Sequence, residues 1–288
     1  MNMSGLLTVI ADGIAFGMVL FLFSIGLSIT LGLMRFINLA HGAFAMCGGY
    51  VLVVLVGGGV PFLAALPAAF VVTGLLGAAL ETTVIRHVYG KSDLQQVLFS
   101  IGLAFAAGAL ANILFGPQQQ PVPLPAWANA PVALPGLALS GYRLFVIVCG
   151  LAALGLLVAL FNHTLFGARI RAAVDRRVTA EGIGIHVGRL FALAFTLGAG
   201  FAGLGGALAV GFLGLDPSFP LKYLVIVLMV VAIGGPGSIG GSFGAALFLG
   251  VADALFKYWL PEIGGFVIYA ILVAVMIAMP QGLAGRPT

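Results

Sequence analysis

The chain has 288 residues, of which 62% are hydrophobic and only 7% charged, with a formal net charge of +4. Soluble domains carry roughly 25% charged residues, so this composition excludes a water-soluble globular protein and calls for one whose outer surface meets lipid. The positive-inside bias of membrane proteins accounts for the excess of cations without a nucleic-acid partner.

The first 33 residues lack a basic leading segment, and Asp12 interrupts their apolar run. They read as a first membrane helix and not as a cleaved signal peptide. Hydrophobic segments lie near 10–33, 37–56, 61–80, 94–115, 143–162, 187–213, 221–235, 240–259 and 263–279. A span needs ~20 apolar residues, and most of these segments qualify. The 221–235 stretch is short and reads as a full helix, a half-helix or the first limb of a broken one. The expected fold is an all-α polytopic membrane protein of eight to nine transmembrane helices, forming one domain over 1–288. The 43 glycines favour close helix packing in lipid. Cys47 and Cys149 both lie in apolar segments and read as packed thiols.

Orientation follows from the cations. Nine spans with the N-terminus outside and the C-terminus inside place nine of the twelve on the cytoplasmic side: Arg35, Arg86, Lys91, Arg169, Arg171, Arg176, Arg177, Arg189 and Arg286. Arg143, Lys222 and Lys257 fall outside. The 116–142 stretch is then an extracytoplasmic loop; its six prolines and uncharged first part read as an irregular lid.

Several polar residues interrupt the hydrophobic segments. Asn38 and His41 share a face if helical, and read either as pore-lining or gating groups or as an interhelical hydrogen bond. Arg35 reads as a boundary anchor. Ser100 and Asn112 have the same two readings, pore or helix-to-helix bond. Glu81 and Arg86 are placed for a boundary ion pair, and Asp253 for a pair with Lys257 at i,i+4.

The densest charge lies in 163–189, which holds Arg169, Arg171, Arg176, Arg177 and Arg189 with Asp175 and Glu181. Residues 168–181 suit a short helix, with Ile170, Val174 and Val178 on one apolar edge and Arg171 facing Asp175. Gly182 and Gly184 end it. Such a helix serves either as a dock for a soluble partner or as a topology anchor against anionic membrane lipid. The stretch from Gly235 to Gly240 matches G-x-G-x-x-G literally, but both flanks are membrane segments, so it reads as a helix break involving Gly235 and Gly237 and not as a dinucleotide site. The sequence contains neither G-x-x-x-x-G-K-[S/T] nor H-E-x-x-H, so no catalytic site, cofactor or metal is expected in this chain.

A set of ordered motifs carries a resemblance. They are M-R-F-I-N-L-A-H-G-A-F-A-M-C-G-G-Y over 34–50, E-T-T-V-I-R over 81–86, S-I-G-L over 100–103 and F-G-P over 115–117. The frame Gly167, Arg169, Arg171-Ala172, Ala180, Gly184-Ile185 follows, then I-G-G-P-G-S-I-G-G-S-F-G over 233–244 and P-Q-G-L-A-G over 280–285. Together they resemble the branched-chain amino acid ABC permeases of the LivH type. The resemblance implies a permease half of a membrane dimer in a bacterial cytoplasmic (inner) membrane. It implies a second homologous permease, two cytoplasmic ABC ATPases that bind and hydrolyse the ATP, and a periplasmic or lipid-anchored binding protein. It makes 163–186 a cytoplasmic coupling loop containing a coupling helix, with Gly167, Arg169, Arg171, Ala172, Arg176, Arg177, Ala180 and Gly184 meeting the ATPase. Asn38, His41, Ser100, Gly235 and Gly237 become pore or gating candidates. Two readings stand beside this one: a secondary transporter or channel working alone, and an ABC permease for urea or short-chain amides. The first would show inverted repeats and midplane acids, and no repeat is evident.

Overall fold

A computed structural model describes residues 3–134 and 137–278. The helices are α1 (Met3–Met34), α2 (His41–Gly57), α3 (Phe62–Thr83), α4 (Asp93–Phe115), α5 (Ala126–Asn129), α6 (Gly141–His163) and α7 (Leu165–Asp175). They continue as α8 (Arg177–Gly182), α9 (Val187–Leu213), α10 (Phe219–Lys222), α11 (Leu224–Gly234), α12 (Ile239–Trp259) and α13 (Gly264–Ala278). An antiparallel ribbon of β1 (Pro131–Leu134) and β2 (Leu137–Ser140) precedes α6. The 280–285 motif and Arg286 lie outside the described residues.

Six helical stretches, beginning at Gly5, Phe62, Asp93, Gly141, Val187 and Ile239, are long and apolar enough to cross a membrane. Three more, His41–Gly57, Phe219–Gly234 and Gly264–Ala278, are apolar but shorter. At 1.5 Å per residue these reach only about 22–26 Å, less than the ~30 Å hydrocarbon layer. The chain is an all-α polytopic membrane protein, and each expected hydrophobic segment coincides with an apolar helix.

The core is built on α1 and α9. In their most apolar stretches 83% and 78% of residues are buried, against 17% for α4 and 22% for α6. α1 packs between α9 and α12, while α2 and α3 cover α9. Backbones meet directly where glycines face one another. A Cβ at Gly26 would stand 2.3 Å from the Gly198 carbonyl oxygen, and one at Gly13 would stand 2.6 Å from the Val251 Cα. These contacts bring helix axes closer than any side chain would permit.

Three expectations are revised, and the open reading of 221–235 is narrowed. α2 starts at His41, so residues 35–40 form a break in which Arg35 takes φ 51°, the one non-glycine in the left-handed region among the described residues. Asn38 is therefore off the helix. The 168–181 helix is two helices, α7 and α8, joined at Arg176 with φ −148° and ψ 88°. The 116–142 loop is not wholly irregular, since it contains α5 and the β1–β2 ribbon. The 221–235 segment is a single turn, α10, followed at Tyr223 by the 11-residue α11.

The packing makes a direct prediction. Gly206→Ala would place a Cβ 1.7 Å from the Ala45 carbonyl oxygen, whereas a Cβ at Gly244 meets nothing within 4 Å. In detergent, G206A is expected to lose at least ~1–3 kcal/mol of stability. G244A should hold or gain up to ~1 kcal/mol from helix propensity. Thermal unfolding of both variants checks this, and equal melting would contradict the seam.

Candidate functional site at the basic end

Cations are sorted by the fold. Arg35, Arg86, Lys91, Arg169, Arg171, Arg176, Arg177 and Arg189 gather at the end that holds the C-termini of α1, α3 and α6 and the N-terminus of α9. Three clefts join these pieces: one spans α3, α8 and α9, one spans α7 and α9, and one spans α1, α7 and the 235–240 turn. At the opposite end each described cation has an acid beside it: Arg143 with Asp12 at 2.6 Å, Lys222 with Asp216 at 3.9 Å and Lys257 with Asp253 at 2.7 Å. The Asp253–Lys257 pair is the expected one.

The segment from α7 to α8 forms an elbow. Thr164 caps α7 by accepting from the Gly167 N–H, which satisfies one of the helix's orphan donors. Gly167 is buried against α6 so closely that a Cβ there would stand 1.8 Å from the Phe161 carbonyl oxygen. Arg171 donates to that same carbonyl, an orphan acceptor in the last turn of α6, instead of facing Asp175. A charge-assisted bond to a terminal carbonyl outweighs the few tenths of a kcal/mol of an exposed i,i+4 pair. Gly167 and Arg171 thus hold the elbow on α6. Arg177 pairs instead with Glu181, at 3.0 Å.

On the inner side of the elbow Ile170, Ala173 and Ala180 are buried, and Ala172 is partly covered. Gly184, at φ 85°, turns the chain into α9 as glycine permits. On the outer side Arg169 and Arg176 are exposed, as are Leu165 (75%), Val178 (84%) and Ile183 (72%). Ile170 and Val178 therefore do not share the single apolar edge that an unbroken helix would give them. Large apolar side chains beside arginines at the polar end of a membrane protein mark an interaction surface.

A second network lies behind the elbow. Arg86 meets Glu81 at 3.4 Å, as expected for a boundary pair, and the Tyr89 hydroxyl donates to the same carboxylate at 3.3 Å. Burial, reinforced by the Glu81 charge, pushes the Tyr89 phenol well above its usual range, so it stays a neutral donor. Tyr89 also packs edge-on against Phe36 in the α1–α2 break. Gln96 Oε1 accepts from the Ile37 N–H at 3.1 Å, and Ser100 donates to the Ile37 carbonyl at 3.3 Å. Gln96 also donates to the Lys91 carbonyl at 3.1 Å. Two side chains one helical turn apart thus satisfy both backbone groups of a residue in the break. Sequence reasoning found Ser100 but missed Gln96, its neighbour one helical turn earlier.

Asn38 and His41 are 1% and 2% exposed and line none of the three clefts. Both polar atoms of the Asn38 amide, and Nε2 of His41, lack hydrogen-bond partners. Gly235 and Gly237, at φ 83° and 77°, form the tight turn between α11 and α12. That turn is bound to α1: the Gly237 N–H donates to the Ser28 carbonyl at 2.9 Å, and Ser242 meets Ser28 hydroxyl to hydroxyl at 2.9 Å. The turn lines the α1–α7 cleft, apart from Asn38, His41 and Ser100. Asn112 is exposed on α4.

The break gives a test. Gln96→Leu leaves the Ile37 N–H unpaired and should cost about 1–3 kcal/mol. Hydrogen exchange over 36–38 is expected to accelerate, while exchange at wild-type rates would show that Gln96 does not hold the break.

Comparison with known proteins agrees along the chain. The sequence profile of the family described as "Branched-chain amino acid transport system / permease component" matches residues 9–276. The high-affinity branched-chain amino acid transport system permease protein LivH of Escherichia coli K12 is 26% identical, covering 96% of this chain and 94% of that protein. BraD of Pseudomonas aeruginosa, a permease protein of the same description, is 25% identical over 96% of this chain and 95% of its own length. The probable LivH permease of Methanocaldococcus jannaschii is 25% identical over 96% of this chain and 92% of its own. No solved structure matches. The chain belongs to the family of branched-chain amino acid transport system permease components.

Proposed function

We propose that this chain is the membrane-spanning permease subunit of a binding-protein-dependent ABC importer and translocates branched-chain or related hydrophobic amino acids. It works by alternating access driven by partner ATPases, in the cytoplasmic membrane of a bacterium. The observation that carries the reading is the elbow at the basic end, where Val178, Ile183 and Leu165 stand exposed among Arg169, Arg176 and Arg177. An apolar knob flanked by cations is costly to leave in water and suits a groove on a soluble subunit.

The positive-inside rule puts this end in the cytoplasm and, with nine spans, the N-terminus outside. The 163–186 segment is then the coupling loop. Arg169, Arg176 and Arg177 contact the ATPase, while Gly167, Arg171, Ala172, Ala180 and Gly184 shape the elbow that presents them. The ATPases bind and hydrolyse the ATP, and this chain takes no cofactor. The 116–142 loop, with α5 and the β1–β2 ribbon, faces the binding protein. A second, homologous permease and membrane lipid cover the exposed sides of α4 and α6.

Alternating access needs an element with two arrangements, biased by each partner's preference for one of them. The α1–α2 break is that element. Asn38 and His41, buried without full pairing, cost about 1–3 kcal/mol each in this conformation, and a conformation that wets or pairs them recovers that energy. The Gly235–Gly237 turn, tied to α1 beside α7, is placed to carry elbow motion to α12.

Val178→Asp tests the reading. It should leave membrane insertion intact, prevent co-purification of the ATPase subunits and reduce amino acid uptake by at least roughly tenfold, the loss expected when a buried anchor of ~1.4 kcal/mol or more is removed. Uptake and co-purification at wild-type levels would show that the elbow is not the dock.

A further inference from the structure

The largest of the three clefts at the basic end, about 1060 Å³, runs between α3 and α9 beside α8. Its two halves differ chemically. The mouth is lined by Arg86, Arg177 and Arg189 together with Glu81 and Glu181. Arg86 and Arg177 each have an acid, Glu81 and Glu181, while Arg189 is exposed and has no partner among the described residues. The floor is formed by Ala78 of α3 and by Leu193 and Thr196 of α9, and Leu193 is 55% exposed. Thr196 lies nine residues past Val187, the first residue of α9, which is about 13 Å along the helix. The cleft thus begins among cations at the basic end and runs along an apolar stretch of α9.

We propose that this cleft is a binding site for an anionic phospholipid, with the phosphate group at Arg189 beside Arg86 and an acyl chain along Leu193 and Thr196. The uncompensated charge of Arg189 selects an anion, and the apolar floor selects an amphiphile over a free phosphate. A soluble ATPase segment would have to reach past these cations and along about 13 Å of α9 to fill the same floor. The inference rests on the chain spanning a membrane and not on the importer assignment.

A tryptophan placed at 193 reports occupancy directly. The full-length chain carrying Leu193→Trp, with Trp127→Phe and Trp259→Phe to remove the native signals, is reconstituted with brominated phosphatidylglycerol or brominated phosphatidylcholine. Quenching should be stronger with the anionic lipid. Arg189→Gln should weaken that preference by roughly fivefold, the share of one basic residue at an anionic surface, and added salt should weaken it too. Native mass spectrometry of the otherwise unmodified chain gives a second readout. Phosphatidylglycerol should survive delipidation in the wild type and be lost in R189Q. Equal quenching by both lipids would overturn the proposal, as would lipid retention unaffected by R189Q. Shielding of Trp at 193 from both lipids once ATPases are assembled would assign the cleft to protein and overturn it too.

Discussion

Direct backbone contact between helices is the constraint on which the rest of this structure depends. α1 has no charged residue besides Asp12, so no ion pair can hold it along most of its length. In lipid the hydrophobic effect does not drive helices together, and association rests on van der Waals packing and interhelical hydrogen bonds. The glycines of α1 supply the first. Gly26 meets Gly198 of α9, Gly13 and Gly17 meet α12, and Gly32 meets the Gly237 turn. Ser28 supplies the second, through its bonds to Gly237 and Ser242. With α1 fixed between α9 and α12, the ends of α6, α9 and α11 come together, and the basic end exists because of that convergence.

What the basic end presents follows from how its orphan groups are satisfied. The last carbonyls of α6 need donors, and Arg171 reaches back to Phe161. The Ile37 backbone in the α1–α2 break needs both a donor and an acceptor, and Ser100 and Gln96 provide them. These bonds use up part of the local polar inventory. The side chains left over, Arg169, Arg176 and Val178 among them, are the ones free for a partner. The same sorting appears in the charges. Cations at the opposite end are matched by nearby acids, while most of those at the basic end are not. The potential of that end is therefore available for binding.

Much of this was legible in the sequence because the relevant physics is local. Apolar segment length follows from bilayer thickness, and each of the nine segments coincides with a helix. Asp253 with Lys257, and Glu81 with Arg86, pair across short sequence separations as spacing predicts. The errors arose where tertiary context overrides spacing. Ile170, Val174 and Val178 have helical period, but the chain turns at Arg176, so Ile170 is buried while Val178 stands exposed. Arg171 prefers an orphan carbonyl ten residues away to the acid four residues on. Gln96 was missed because nothing in a single sequence shows that Ile37, 59 residues earlier, lies in a break with an unpaired amide. The family motifs over 34–50 and 233–244 mark two turns that stand against α1 or α4, but which surfaces they touch is visible only in the fold.

The most direct test of the account is transport by the reconstituted system. The chain would be incorporated into proteoliposomes with its partner permease and two ATPases, and leucine accumulation measured with ATP at the basic face and a loaded binding protein at the other. The account predicts accumulation that needs ATP, the ATPases and the binding protein together. Leucine flux through this chain alone, driven by an ion gradient and indifferent to ATP, would contradict it.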